Sequence, residues 1–255
     1  MMTHQAFLAT ENLSLEFPRS PAGVRAHDSG KRKPVLDRIT LSLKDGDRLA
    51  VIGRNGSGKS TLLRTLAGVL PPTSGRIWSN GTIAAILSAS AGFEKTASGY
   101  DNIYLRGLLL GMTKPQIEKT LPSIIKFADL GQALYEPLHT YSSGMVIRLA
   151  FAVCTSSRPS ILLLDEWIGT GDAVFVERAE TRLAGLLDNA RIMVLTTHSA
   201  ALIKRFCNRA IVLEGGRIVC DGPVERGIAF YKQLVAATKL ARMERQKAAE
   251  SEFSV

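Results

Sequence analysis

The sequence predicts an α/β fold, and three observations carry that prediction. Three apolar runs, Leu49-Ala50-Val51-Ile52, Ile161-Leu162-Leu163-Leu164 and Ile192-Met193-Val194-Leu195-Thr196-Thr197, are short and uncharged, as buried strands of a central sheet are. The first passes directly into a glycine-rich turn and then into Thr61-Leu62-Leu63-Arg64-Thr65-Leu66-Ala67, which has helical spacing. Between the first and second runs, the block from Tyr100 to Tyr141 changes to a helical period.

The glycine-rich turn reads Gly53-Arg54-Asn55-Gly56-Ser57-Gly58-Lys59-Ser60-Thr61. Strand, glycine-rich turn and helix, in that order, form the context a phosphate-binding loop requires. Glycines let the backbone approach phosphate closely, and N–H groups at the helix start point toward it. Lys59 supplies a point charge for the β- and γ-phosphates, and the Ser60 hydroxyl is placed for Mg²⁺.

The second run ends in Asp165-Glu166. A carboxylate at the C-terminal end of a parallel strand stands on the ligand-binding edge of the sheet. Asp165 is therefore the candidate magnesium-side residue, and Glu166 the candidate base for the attacking water. His198 follows the third run, where a neutral imidazole can hydrogen-bond the γ-phosphate or the water. Asp172, within Gly169-Thr170-Gly171-Asp172, is a candidate for contacts between two copies, although Gly-Asp is also ordinary turn chemistry. Upstream, Tyr141-Ser142-Ser143-Gly144-Met145 opens an apolar helical stretch. Ser142 and Ser143 read there either as plain caps or, with Gly144, as a second anion-binding helix end.

The remaining elements fall between these motifs. Pro18 to Pro34 reads as a Pro-, Gly- and charge-rich loop between two early strands, and Val35 to Leu43 as the second of them. Two more short strands are expected between Gly75 and Leu87. In the helical block, Ile103, Leu105, Leu108 and Leu109 mark one helix. Ile117, Leu121, Ile124, Ile125 and Ala128 mark the next, with a kink or break expected at Pro122. Ile203-Lys204-Arg205-Phe206 suggests a helix after His198. Gly215-Gly216 joins a hairpin, and Gly227 to Glu252 is an Ala-, Lys- and Arg-rich helical tail.

The order of these motifs resembles the nucleotide-binding subunit of an ATP-binding-cassette (ABC) transporter. The variant Tyr141-Ser142-Ser143-Gly144-Met145, where most such proteins have Leu-Ser-Gly-Gly-Gln, resembles the polysaccharide-export branch. Further matches to that branch are Gly92-Phe93, Asp101-Asn102-Ile103-Tyr104 and Gly171-Asp172-Ala173-Val174-Phe175. The resemblance implies a P-loop NTPase of the ABC type, with a mixed sheet core, an antiparallel β subdomain and a helical subdomain at about 92–157, all within 1–227. It implies ATP and Mg²⁺ bound between two copies of the chain, so that Ser143 and Gly144 of one engage the γ-phosphate held by Lys59 of the other. It also implies a polytopic membrane permease gripped near Ala91-Gly92-Phe93-Glu94 and the helix after Tyr100, with a periplasmic co-polymerase and an outer-membrane export protein in the same system. By length the chain looks most like the short capsule-export ATPase, with O-antigen or teichoic acid export as the alternative. Phe17 is the candidate for adenine stacking, and equally an ordinary strand residue. Ser88, Ala89 and Ser90 stand where cassettes commonly place a Gln.

Bulk properties agree with a peripheral subunit on the cytoplasmic face of the inner membrane. No apolar run approaches about 18 residues, so no membrane-spanning helix is expected. Met1-Met2-Thr3-His4-Gln5 does not open a secretory signal. Cys154, Cys207 and Cys220 form no Cys-x-x-Cys pair and read as small core residues of a reducing compartment. The net charge of +9 suits an anionic membrane first, a solvated surface second and nucleic acid third, since no nucleic-acid-reading motif accompanies it. The long heptad insert of a chromosome or DNA-repair ATPase and the second cassette of a translation-factor ATPase are both absent from the sequence.

Overall fold

The computed structural model describes residues 7–18, 32–87, 92–156, 159–165, 173–187 and 190–252. Glu166, Gly169 through Asp172, Ser88 through Ala91 and residues 19–31 lie outside them. Two sheets form. The smaller is antiparallel, in the order β2-β1-β4, from β1 (Phe7–Pro18), β2 (Arg32–Lys44) and β4 (Ser74–Asn80). The larger runs β5-β6-β7-β3-β8-β9, from β3 (Arg48–Ile52), β5 (Ile83–Ile86), β6 (Ile161–Asp165), β7 (Ile192–Thr196), β8 (Arg209–Glu214) and β9 (Arg217–Pro223). All its neighbours pair in parallel except β8 with β9, which make the hairpin expected at Gly215-Gly216.

The unbroken apolar runs are explained by burial on both faces of the larger sheet. Along β6, Ile161 and Leu163 join the core beneath the antiparallel sheet and α1 (Lys59–Leu66), while Leu162 and Leu164 join the helical core opposite. Along β7, Ile192 and Val194 face the first core, and Met193 and Leu195 the second. A charge at any of these positions faces apolar packing on one side or the other.

The helical layer holds α2 (Gly99–Leu109), α3 (Lys114–Ala128), two 3-10 turns (Gly131–Tyr135 and Leu138–Thr140), α4 (Ser143–Cys154) and α5 (Ala173–Leu187). Phe127 of α3, Phe151 of α4 and Phe175 of α5 meet pairwise at ring separations of 5.3 to 6.1 Å, which ties the three helices together. Past β7 come α6 (Ala200–Phe206) and, after β9, α7 (Val224–Glu252).

Three expectations change. Of the kink or break expected at Pro122, the break does not occur: α3 is one element. Its Thr113–Gln116 capping box fixes the start, and burial of Ile117, Ile124 and Phe127 outweighs the backbone hydrogen bond a proline removes. The early loop is shorter than Pro18 to Pro34. β1 runs to Pro18 and β2 resumes at Arg32, with Phe17 opposite Lys33 and Glu16 opposite Pro34. Pro34 is tolerated because β2 is an edge strand, where a missing N–H costs little. The terminal helix starts at Val224, and Val224, Ile228, Phe230, Tyr231 and Leu234 pack against Ala50, Ile52, Ala210 and Val212. Its first turns therefore cover the sheet.

Candidate functional site

The glycine-rich loop follows β3, the strand between β7 and β8. At Gly53 and Gly58 its geometry is set by contacts that leave no room for side chains. A Cβ on Gly53 would stand 2.4 Å from the Leu213 carbonyl oxygen and 2.5 Å from Ser57 Oγ. Gly58 has φ +107, and a Cβ there would stand 2.9 Å from the Val35 carbonyl oxygen. The loop is pinned from outside as well: Gly216 N–H donates to the Ser57 carbonyl at 3.1 Å. α1 begins at Lys59 with no side-chain cap on Gly58, so its first-turn N–H groups open toward the loop. Lys59 is 6% exposed, and its Nζ donates to the Gly53 and Arg54 carbonyls at 2.9 and 3.2 Å. A phosphate is a stronger partner for a buried ammonium than these neutral carbonyls. Nothing lies within 4 Å of where a Gly56 Cβ would stand. Ser57 Oγ is buried without a protein hydrogen-bond partner. A cradle of glycine backbone, helix N-terminus and lysine fits a polyphosphate.

Asp165 closes β6, directly opposite Thr196 of β7. Thr196 Oγ1 donates to Asp165 Oδ1 at 2.6 Å, which orients the carboxylate. One accepted hydrogen bond leaves a carboxylate with capacity to spare. A hydroxyl at Ser60 and a carboxylate at Asp165 are hard oxygen donors of the kind Mg²⁺ takes alongside phosphate and water. His198 is exposed, two residues past β7. β7 lies between β3 and β6, so His198 follows a strand flanked by the one that carries the phosphate loop and the one that ends in Asp165.

The second candidate anion-binding end is the start of α4. Ser142 is its N-cap, and its Oγ accepts from Met145 N–H at 3.3 Å. Ser142 and Ser143 are exposed and Gly144 is half-buried. Tyr141, just before the cap, donates its hydroxyl to the Ala133 carbonyl, and burial raises its pKa above the ordinary phenol value. α4 packs in the helical core on one face of the larger sheet, and α1 packs on the other. The two helix ends thus belong to opposite layers of one chain. Phe17 is 41% exposed, at the end of β1. Two residues earlier, Leu15 pairs with Leu36, whose side chain lies 3.1 Å from where a Gly58 Cβ would stand. The ladder that carries Phe17 therefore abuts the phosphate loop.

Thr196, Asn102 and Arg106 carry no functional role legible in the sequence. Thr196 was legible only as a strand residue. Asn102 is fully buried and Arg106 is 5% exposed, in a helix read for its leucines. Polar residues one turn apart on a buried face were the signal available. Cys154 and Cys220 are core residues as expected, and Cys207 is half-buried against the core. Cys154 and Cys220 are buried, and burial pushes the largely covered Cys207 thiol up to about 12.

The family model described as ABC transporter matches residues 36–169, more than half of the chain. An O-antigen export system ATP-binding protein of Yersinia enterocolitica is 48% identical over 72% of this chain and 77% of its own. A teichoic acids export ATP-binding protein of Lactococcus lactis is 35% identical over 83% of this chain. The match spans 46% of that relative, so this chain aligns with under half of its length. Among solved structures, a dimeric post-hydrolysis ATP-binding cassette bound to ADP and Pi superposes with TM-score 0.70. It is 19% identical, over 85% of this chain and 98% of that one, and so bears on fold alone. From the family model and the Yersinia relative, this chain belongs to the ABC transporter family, as an ATP-binding ATPase subunit that groups with those of O-antigen and teichoic acid export systems.

Proposed function

We propose that this chain is the ATPase subunit of an exporter that moves a lipid-linked surface polysaccharide across the inner membrane, working as a dimer with ATP held between two copies. One observation carries the dimer: the phosphate loop and the Ser142–Ser143–Gly144 helix end lie in opposite layers of a single chain. A second copy supplies the missing half. In the closed state, Lys59 and the N–H groups of the loop hold the β- and γ-phosphates of one site. Ser143 and Gly144 of the partner approach the γ-phosphate. Phe17 stacks on the adenine. Ser60 and Asp165 would hold Mg²⁺, which would supply charge neutralisation on the phosphates. Thr196 keeps Asp165 oriented. Glu166 polarises the attacking water, and His198 hydrogen-bonds the phosphate side. Loss of the γ-phosphate removes the bridge between copies and reopens them.

The membrane partner docks on α2. Leu105, Leu108 and Leu109 are 42%, 55% and 72% exposed and line a groove with Gly92, Phe93 and Glu94. An apolar groove at the end of a cassette's helical layer suits a short helix of a polytopic permease. Among the described residues no helix is long and apolar enough to cross a membrane. The net charge of +9 favours the anionic inner leaflet. A periplasmic co-polymerase and an outer-membrane export protein complete the proposed system.

For the cargo, O-antigen fits at least as well as capsular polysaccharide, because relatives named for O-antigen export match at 48% and 34% identity over most of their own lengths. Replacing Glu166 with Gln in the native organism is the test. The expected outcome is loss of one surface polysaccharide with its lipid-linked form retained inside. Chemical analysis of the missing chain separates O-antigen, capsule and teichoic acid. An unchanged surface would refute the export reading.

A further inference from the structure

Asn102 and Arg106 stand one helical turn apart on the buried side of α2. Asn102 accepts from Glu94 N–H at 2.7 Å and donates to the carbonyls of Glu94, Ala97 and Ser98 at 2.8, 3.2 and 2.9 Å. One side chain therefore fastens the 94–98 segment to α2. Arg106 holds the residue before that segment, with its guanidinium carbon 4.8 Å from the centre of the Phe93 ring. Its Nε also donates to Cys154 Sγ at 3.3 Å. Cys154 is the last residue of α4, the helix whose first turn carries Ser143 and Gly144. A buried arginine touching both an aromatic face and a thiol has its position fixed from two sides. Phe93 lines the exposed groove of α2, and Cys154 belongs to the helix of the second anion-binding end.

From this geometry we propose that Arg106, braced by Asn102, is a positioning residue that makes the α2 groove and α4 move as one body. It couples whatever occupies the groove to the approach of Ser143 and Gly144 to nucleotide. The proposal rests on the shared-site reading above. A packed helix transmits displacement because its interior is close-packed. α2 and α4 also pack directly on one another in the shared helical core, and to that packing Arg106 adds a polar link from Phe93 to Cys154. Removing the link should leave each end intact and weaken their coupling.

Hydrogen exchange of the full chain, with and without Mg²⁺ and a non-hydrolysable ATP analogue, reads both ends at once. In the wild type, nucleotide should slow exchange about tenfold at 141–150 and also at 92–98. In Arg106→Gln and in Cys154→Ala the slowing at 141–150 should persist, while that at 92–98 falls below about twofold. Arg106→Lys, which keeps the charge but not the planar contact, should recover part of it. Should Arg106→Gln not fold, Cys154→Ala decides, because it removes the acceptor and retains the arginine. Full slowing at 92–98 in the variants overturns the relay. Slowing at 141–150 without slowing at 92–98 in the wild type also overturns it, and leaves the shared site standing. No slowing at either segment in the wild type sinks the shared site and the relay with it.

Discussion

Lys59 concentrates the residue-scale argument. Its ammonium is buried against two carbonyls, a position it holds only because Gly53 and Gly58 let the loop wrap it. Lys59→Ala removes the charge without disturbing the glycines, so nucleotide affinity should fall by at least about tenfold while melting temperature changes little. Titration calorimetry checks the affinity and scanning calorimetry the melting temperature, and unchanged affinity would remove the loop from the site. Gly53→Ala should do the opposite. A methyl group 2.4 Å from the Leu213 carbonyl forces the loop off β8, and the expected cost of about 1–3 kcal/mol should appear as a lowered melting temperature even without nucleotide. Phe17 makes a milder case. It is exposed and contributes little to the core, so Phe17→Ala should preserve stability and weaken ATP binding by about threefold to tenfold through lost stacking. The thiols offer a check on packing. With Cys207 pushed up to about 12 and burial raising Cys154 as well, neither forms appreciable thiolate at pH 8. Maleimide labelling of the folded chain should be slow there and accelerate on denaturation.

At the scale of elements, what was legible in the sequence followed from burial. β3, β6 and β7 are covered on both faces, so each wrote an uninterrupted apolar run that needed no tertiary information. The phosphate loop was equally plain, because Gly53 and Gly58 answer close contacts with β8 and β2, and Gly56 a positive φ. Less was legible where an element depends on partners distant in sequence. Pro122 reads as a kink or a break, yet α3 continues as one element with α2 and α4 packed on it. Pro34 looked like loop, yet the edge of a sheet accepts it. The apolar residues of α2 were read correctly as helical, but periodicity does not say which face stays bare. Ile103 is buried whereas Leu108 and Leu109 are exposed. That exposure gives the element its prediction. Leu108→Glu with Leu109→Glu places charge on a face that already meets water, so the isolated chain should fold and bind ATP normally. Co-purification with the membrane subunit should be lost, and retained co-purification would move the docking face elsewhere.

For the whole molecule the decisive matter is how two incomplete sites combine. In the proposed two-fold dimer each site would take its loop from one copy and its helix end from the other. A chain with Lys59→Ala has no working loop but keeps Ser143 and Gly144. A chain with Ser143→Arg keeps the loop but carries bulk where the partner's nucleotide must approach, at an exposed first helical residue that tolerates the change. Each variant alone should be nearly inactive, since every site in its own dimer lacks one half. When the two are mixed at equal concentration and allowed to exchange, about half the dimers contain one of each. In such a dimer one site loses both halves and the other has both intact. ATPase activity should then rise to about a quarter of the wild-type rate, given independent sites and one good site in half the dimers. If each chain instead held its whole site, exchange would create nothing, and the mixture would turn over at the average of its two parents. A steady-state ATPase assay across mixing ratios separates the two models, because recovery through exchange peaks at equal proportions and averaging gives a straight line.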